Sequence, residues 1–82
     1  MASPSSLAIG VVGLGYVGLP LAVGFGKIGR TIGFDLSADK IACYTQMTDP
    51  SGELSSEELK EAQHLTFTTE PAELKQVDIV IV

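Results

Sequence analysis

Residues Gly13-Leu14-Gly15-Tyr16-Val17-Gly18 set three glycines at the spacing Gly-x-Gly-x-x-Gly, and the residues on either side decide what that spacing means. Before them, Leu7 to Val12 is a short apolar run with β-branched Ile9, Val11 and Val12, the pattern of a strand buried on both faces. After them, Val17, Leu21, Phe25 and Ile28 recur at helical spacing over Tyr16 to Ile28. Strand, glycine-rich turn and helix, in that order, make the motif a dinucleotide-binding signature. Gly13 would let the chain turn sharply off the strand. Gly15 would let the backbone approach a pyrophosphate with no Cβ in the way, and Gly18 would let the helix pack closely on the sheet. The helix N-terminus, with unpaired N–H groups and a partial positive charge, then faces the phosphates.

Asp35 completes the pattern. It ends a second short strand, Thr31 to Asp35, 22 positions after Gly13, where an acid can accept both ribose hydroxyls of an adenosine. Its carboxylate would repel a 2′-phosphate, and Leu36 and Ser37 supply no arginine to hold one, so NAD is expected over NADP. FAD is the other dinucleotide that uses such a loop. The bland reading is a glycine-rich turn beside a solvated Asp, which the joint order and spacing argue against. Lys40 lies about one helical turn past Asp35 and could reach the adenosine ribose or a phosphate; a solvated lysine is the competing reading.

The rest of the chain keeps the same alternation. Gly29 is a stop signal for the first helix, with Lys27 in its last turn, and Pro20 sits where few helical N–H groups are needed. Ser37 can cap a helix from Ala38 to about Met47. Thr48 to Leu54, with Asp49, Pro50 and Gly52, reads as a loop. Ser55 and Glu58 form a capping box opening a helix to about Gln63. Leu65 to Thr68 is a third strand, Pro71 to Gln76 one or two helical turns, and Val77 to Val82 a fourth strand. The fold expected is α/β, a parallel sheet with crossover helices over residues 7–82, preceded by a flexible polar lead-in at residues 1–6. The chain stops inside an apolar strand, so the expectation is the N-terminal part of a truncated Rossmann-type NAD-binding domain.

Charge and composition narrow the partners. A net charge of −5 argues against nucleic acid and anionic membranes. Leu7 to Gly26 is uncharged and long enough to span a bilayer, but six glycines and Pro20 interrupt it, and Met1 to Ser6 carry no Lys or Arg. One cysteine excludes an internal disulfide and a multi-cysteine metal site, which suits a reducing, cytoplasmic setting. Cys43, with no basic neighbour, reads as a buried structural thiol, and His64 as a surface or helix-end histidine. Glu53, Glu57, Glu58 and Glu61 read as a solvated acidic face, and Tyr16 and Tyr44 as packing residues. No catalytic residue and no metal ligand is assigned.

The run Ile9 to Ala22, with Gly-Tyr-Val-Gly-Leu-Pro at Gly15 to Pro20, resembles the start of the UDP-glucose/GDP-mannose dehydrogenase family. Glu58 to Thr68, Leu74 and Val77 to Val82 are most similar to its UDP-N-acetylhexosamine 6-dehydrogenases of polysaccharide synthesis. The resemblance implies a cytoplasmic enzyme, commonly a homo-oligomer, that oxidises C6 of a UDP-sugar twice with two NAD⁺ to the uronic acid. It implies that Gly13, Gly15, Tyr16, Val17 and Gly18 match the pyrophosphate loop, Asp35 the ribose-binding acid, and Lys40 a basic position near the ribose. The family's catalytic cysteine, which carries a thiohemiacetal or thioester, belongs to segments beyond Val82, and Cys43 does not match its motif. Two rival readings are a β-hydroxyacid dehydrogenase relative, against which Gly15 to Pro20 speaks, and a standalone NAD-binding module without chemistry.

Overall fold

In the computed structural model, which describes residues 7–15 and 17–82, the alternation becomes one parallel sheet. The elements run β1 (Ile9–Val12), α1 (Gly18–Gly26), β2 (Thr31–Phe34), α2 (Ala38–Thr45), α3 (Ser56–Glu61), β3 (Leu65–Thr68), a 3-10 helix (Pro71–Gln76) and β4 (Ile79–Ile81). The sheet order is β3-β2-β1-β4, and every pairing is parallel. Val11 lies beside Gly33 on one side and Ile81 on the other, and Gly33 beside Phe67. The chain moves outward from β1 to β3 and then crosses back to place β4 on the far side of β1. The C-terminal end of β1 is therefore a topological switch point, where open α/β sheets hold their ligands.

The expected elements form, with boundaries moved for identifiable reasons. The lead-in at residues 1–6 lies outside the described residues. The first helix ends at Gly26 instead of Ile28, because the Ile28 N–H turns to the Phe25 carbonyl three residues back, which the Gly29 N–H shares; the Gly26 carbonyl accepts the His64 N–H at 3.0 Å. Lys27 is the C-cap rather than part of the last turn. A Cβ on Gly26 would stand 2.6 Å from the Leu65 Cβ, so this helix end packs directly on the start of β3. The second helix ends at Thr45, and Met47 takes φ 61°. The Met47 N–H bonds the Tyr44 carbonyl and the Thr48 N–H the Cys43 carbonyl, a Schellman closure with methionine where glycine is usual. The fourth strand starts at Ile79 instead of Val77. Val77 closes the 3-10 helix, and Asp78 is held by Ala8, whose N–H donates to Asp78 Oδ2 at 2.8 Å.

The core gathers Val11, Leu14, Leu19, Ala22, Val23, Tyr44, Leu59, Ala62 and Leu65 between the sheet and the helices. β2 is buried along its whole length, as expected of an inner strand with a helical layer over it. β4 is different: Ile79 and Val80 point to opposite faces and each is about half exposed. The apolar run Leu7 to Gly26 is divided among β1, the glycine-rich loop and α1, and no helix among the described residues is long and apolar enough to cross a membrane.

Candidate functional site

The glycine-rich segment occupies the switch point. Gly13 leaves β1 at φ +91°, a conformation that L side chains rarely adopt, and its N–H still bonds the Phe34 carbonyl of β2 at 2.9 Å. A Cβ on Gly18 would lie 1.8 Å from the Gly13 carbonyl oxygen, so helix and turn touch backbone to backbone. Gly15 has no such reason within the chain. A Cβ there would meet nothing within 4 Å, so any demand for glycine comes from what approaches the loop from outside. Tyr16 lies outside the described residues.

Val17 stands at the N-cap of α1 and is 79 % exposed. Valine is a poor cap, no side chain caps this helix, and its first turn carries no acid. Among the described residues the Leu19 N–H is taken by the Gly15 carbonyl and the Leu21 N–H by the Val17 carbonyl. A helix start that is uncapped, without carboxylates and beside open space suits an anion.

Asp35 lies just past the end of β2 and reaches into the loop. Its Oδ2 accepts the Leu14 N–H and its Oδ1 the Ser37 N–H, both at 2.9 Å. Burial alone would raise its pKa. The Ser37 and Leu14 N–H groups, the Lys40 charge and the Leu36 N–H outweigh that and hold the carboxyl below its ordinary value. The group is an anion at neutral pH, with acceptor capacity left beyond its two backbone donors. Lys40 sits exposed in the first turn of α2, whose N-cap is Ser37; the Ser37 hydroxyl accepts the Lys40 N–H at 3.3 Å.

Two open spaces flank the loop. One of about 360 Å³ is bounded by Gly15, Pro20, Lys40, Tyr44, Asp49 and Ser51. The other, about 210 Å³, lies at the switch point between Gly13, Val17, Gly18, Leu21 and the end of β4. Six of the seven residues expected to form the site, all but Tyr16, thus lie on the loop, the helix starts and the strand end around the C-terminal ends of β1 and β2.

Reading the sequence missed two contributors. Tyr44, expected as a packing residue, is indeed buried, with its ring 5.4 Å from that of Phe67. Its hydroxyl, however, donates to the Leu14 carbonyl at 3.0 Å. Asp49 organises the wall of the larger cleft: Oδ1 accepts from the Ser51 N–H and hydroxyl, and Oδ2 from the Leu54 N–H. Burial would raise its pKa, and the Ser51 hydroxyl with the Ser51, Leu54 and Glu53 N–H groups lowers it overall. The run Asp49-Pro50-Ser51-Gly52 carried that signal, since Asp, Pro and Gly are favoured at those positions of a type I turn. Cys43 is partly buried on α2, and His64 is exposed at the entry to β3. No group of three acidic, His or Cys residues able to hold a metal occurs among the described residues.

Comparison with known proteins bears on this geometry. Residues 7–82 match the model of the UDP-glucose/GDP-mannose dehydrogenase family, NAD binding domain. The chain is 47 % identical over 76 residues to UDP-N-acetyl-D-glucosamine 6-dehydrogenase of Pseudomonas aeruginosa, covering 93 % of this chain and 18 % of that protein. It is 43 % identical over 74 residues to the protein of the same name from Salmonella typhi, covering 90 % and 17 %. Among solved structures, UDP-D-ManNAc dehydrogenase from Pyrococcus horikoshii superposes with a TM-score of 0.78 at 28 % identity, over 90 % of this chain and 19 % of that one. The chain thus spans less than a fifth of the length of these relatives.

Proposed function

This chain belongs to the UDP-glucose/GDP-mannose dehydrogenase family, within its NAD binding domain, and on that premise we propose that residues 7–82 hold the adenosine and pyrophosphate of NAD for a nucleotide-sugar 6-dehydrogenase. The observation that carries the reading is the Asp35 carboxylate tied to the Leu14 N–H of the glycine-rich loop. That bond brings a ribose acceptor and a phosphate cradle to one peptide.

In this reading Asp35 accepts the adenosine ribose hydroxyls with the capacity its two backbone donors leave free. Its negative charge disfavours a 2′-phosphate and selects NAD over NADP. Gly13, Gly15, Tyr16, Val17 and Gly18 form the pyrophosphate loop; the open side of Gly15 admits the diphosphate, and the uncapped start of α1 supplies N–H groups. Lys40 adds positive charge beside the ribose. The bound NAD⁺ supplies the hydride acceptor, which none of these side chains provides. These residues therefore bind and orient the cofactor, and the covalent chemistry belongs to other parts of the full-length protein.

The parent reaction we infer is oxidation of C6 of a UDP-N-acetylhexosamine or UDP-hexose to the uronic acid, with two NAD⁺ consumed per sugar, in the cytoplasm and in service of polysaccharide synthesis. Its supports are the identity to two UDP-N-acetyl-D-glucosamine 6-dehydrogenases and the fit of the loop to the cofactor. The net charge of −5 on this chain disfavours nucleic acid and an anionic membrane as partners, and a homo-oligomeric parent is what the family resemblance implies. The test is NADH formation by the full-length protein with UDP-N-acetylglucosamine, UDP-N-acetylgalactosamine and UDP-glucose. Two NADH per molecule of one of these sugars is the expected result. NAD binding with no NADH from any UDP-sugar would overturn the enzyme and leave a binding module.

A further inference from the structure

We propose that Tyr44 is a positioning residue for pyrophosphate binding: its buried hydroxyl, bonded to the Leu14 carbonyl, holds the Leu14–Gly15 peptide plane in the orientation the loop presents to a phosphate. The inference rests on the cofactor-site reading above and adds to it a residue of α2 outside the glycine-rich motif.

The Leu14 residue is held at three points. Its side chain is fully buried, its N–H is bonded to Asp35, and its carbonyl accepts the Tyr44 hydroxyl at 3.0 Å. That carbonyl and the Gly15 N–H belong to one peptide unit, and no peptide bond in the described chain is cis. In a planar trans peptide the two groups point in opposite directions, so a carbonyl turned to Tyr44 turns the Gly15 N–H away from it. Among the described residues the Gly15 N–H has no acceptor. Gly15 is also where flexibility would otherwise be greatest, having no side chain and open space around its Cβ position.

Packing alone does not call for the hydroxyl. A phenylalanine would fill the same volume beside Phe67, whereas a buried hydroxyl loses water and must recover that cost from a partner. Its partner here is a carbonyl of the candidate binding loop. Burial, and then the negative charges of Asp49 and Asp35, push the phenol pKa up, so the hydroxyl keeps its proton and stays a donor throughout the physiological range. Donation to the carbonyl also polarises the peptide and strengthens its N–H as a donor. One residue thereby connects the wall of the larger cleft to the loop, and through Leu14 to Asp35.

The experiment is calorimetric titration of the full-length protein with NAD, ADP and adenosine, comparing wild type, Tyr44→Phe and Leu59→Ala. Leu59 is a fully buried core residue of α3, outside both the loop and α2, and its truncation serves as a control for lost stability. Tyr44→Phe is expected to weaken NAD and ADP about three- to tenfold, the effect of one lost hydrogen bond, and to leave adenosine within about twofold. Leu59→Ala is expected to lower Tm further while leaving all three affinities near wild type. Unchanged ADP affinity in Tyr44→Phe, or a loss equal for ADP and adenosine, overturns the positioning role. Absence of NAD binding by the wild type would overturn the cofactor-site reading itself, a separate outcome.

Discussion

Asp35 and Leu14 stand 21 positions apart, yet the Asp35 carboxylate accepts the Leu14 N–H at 2.9 Å. The end of β2 and the turn after β1 are therefore joined by a bond between the chain's own groups. In the proposed reading Asp35 has two tasks, to hold the loop and to meet the ribose, and the two are separable by measurement.

Asp35→Ala in the full-length protein should weaken NAD⁺ binding by about 1–3 kcal/mol, the range for losing a charged hydrogen-bond partner. It should also lower Tm, because the Leu14 and Ser37 N–H groups lose their acceptor. Calorimetry and thermal melts read the two effects apart. An affinity equal to wild type would remove Asp35 from the ribose site.

Acid should act through the same carboxylate and through Asp49. Both have folded pKa values below the ordinary one. The unfolded chain then binds the proton more readily than the folded chain. The stabilisation is complete above the unfolded value of about 3.9 and is lost as pH falls through the lower folded value. Urea midpoints should decline below about pH 4. Asp35→Asn and Asp49→Asn should each flatten that decline, and an unchanged acid limb in both variants would contradict the assignment.

The second and third motif glycines should fail in different ways. Gly18→Ala drives a Cβ to 1.8 Å from the Gly13 carbonyl oxygen, so the turn must shift. A loss of about 1–3 kcal/mol or more in stability is expected, as for overpacking elsewhere. Gly15→Ala meets no atom within 4 Å and should melt within a few degrees of wild type. Its NAD affinity should nonetheless fall about tenfold, because in the proposed reading the methyl stands where the diphosphate approaches. If Gly15→Ala binds NAD normally, the loop does not face the cofactor as proposed.

Cys43 provides the negative control for chemistry. It is partly buried, mid-helix on α2, with its carbonyl taken by the Thr48 N–H. Cys43→Ala should leave turnover within about twofold of wild type, as expected for a site away from the reaction. Abolished turnover with an intact fold would place the nucleophile here instead.

Local rules reached most of this fold. Ser55 and Glu58 do form a capping box, Ser37 does cap α2, and the apolar runs at Ile9 and Leu65 do pair in a parallel sheet. The glycine spacing and Asp35 were legible because strand, glycine-rich turn, helix and strand-end acid follow one another at fixed intervals along the sequence. What escaped depends on distant parts meeting. The end of α1 is docked by His64, which takes the Gly26 carbonyl from 38 positions away. Tyr44 finds Leu14 across 30 positions, through the packing of α2 over the loop. The left-handed Met47 departs from the glycine rule, and neither periodicity nor composition announces it.

The burial of Leu14 has one more consequence. A residue whose side chain lies in the core while its amide and carbonyl serve two partners makes the loop continuous with the interior. The hexapeptide Gly13 to Gly18 is consequently not a portable recognition element: cut out or grafted onto another surface, it would carry the glycines without the anchor that shapes them. On heating, cofactor recognition and the hydrophobic interior should be lost in one transition, with no temperature at which the protein is folded but blind to its ligand.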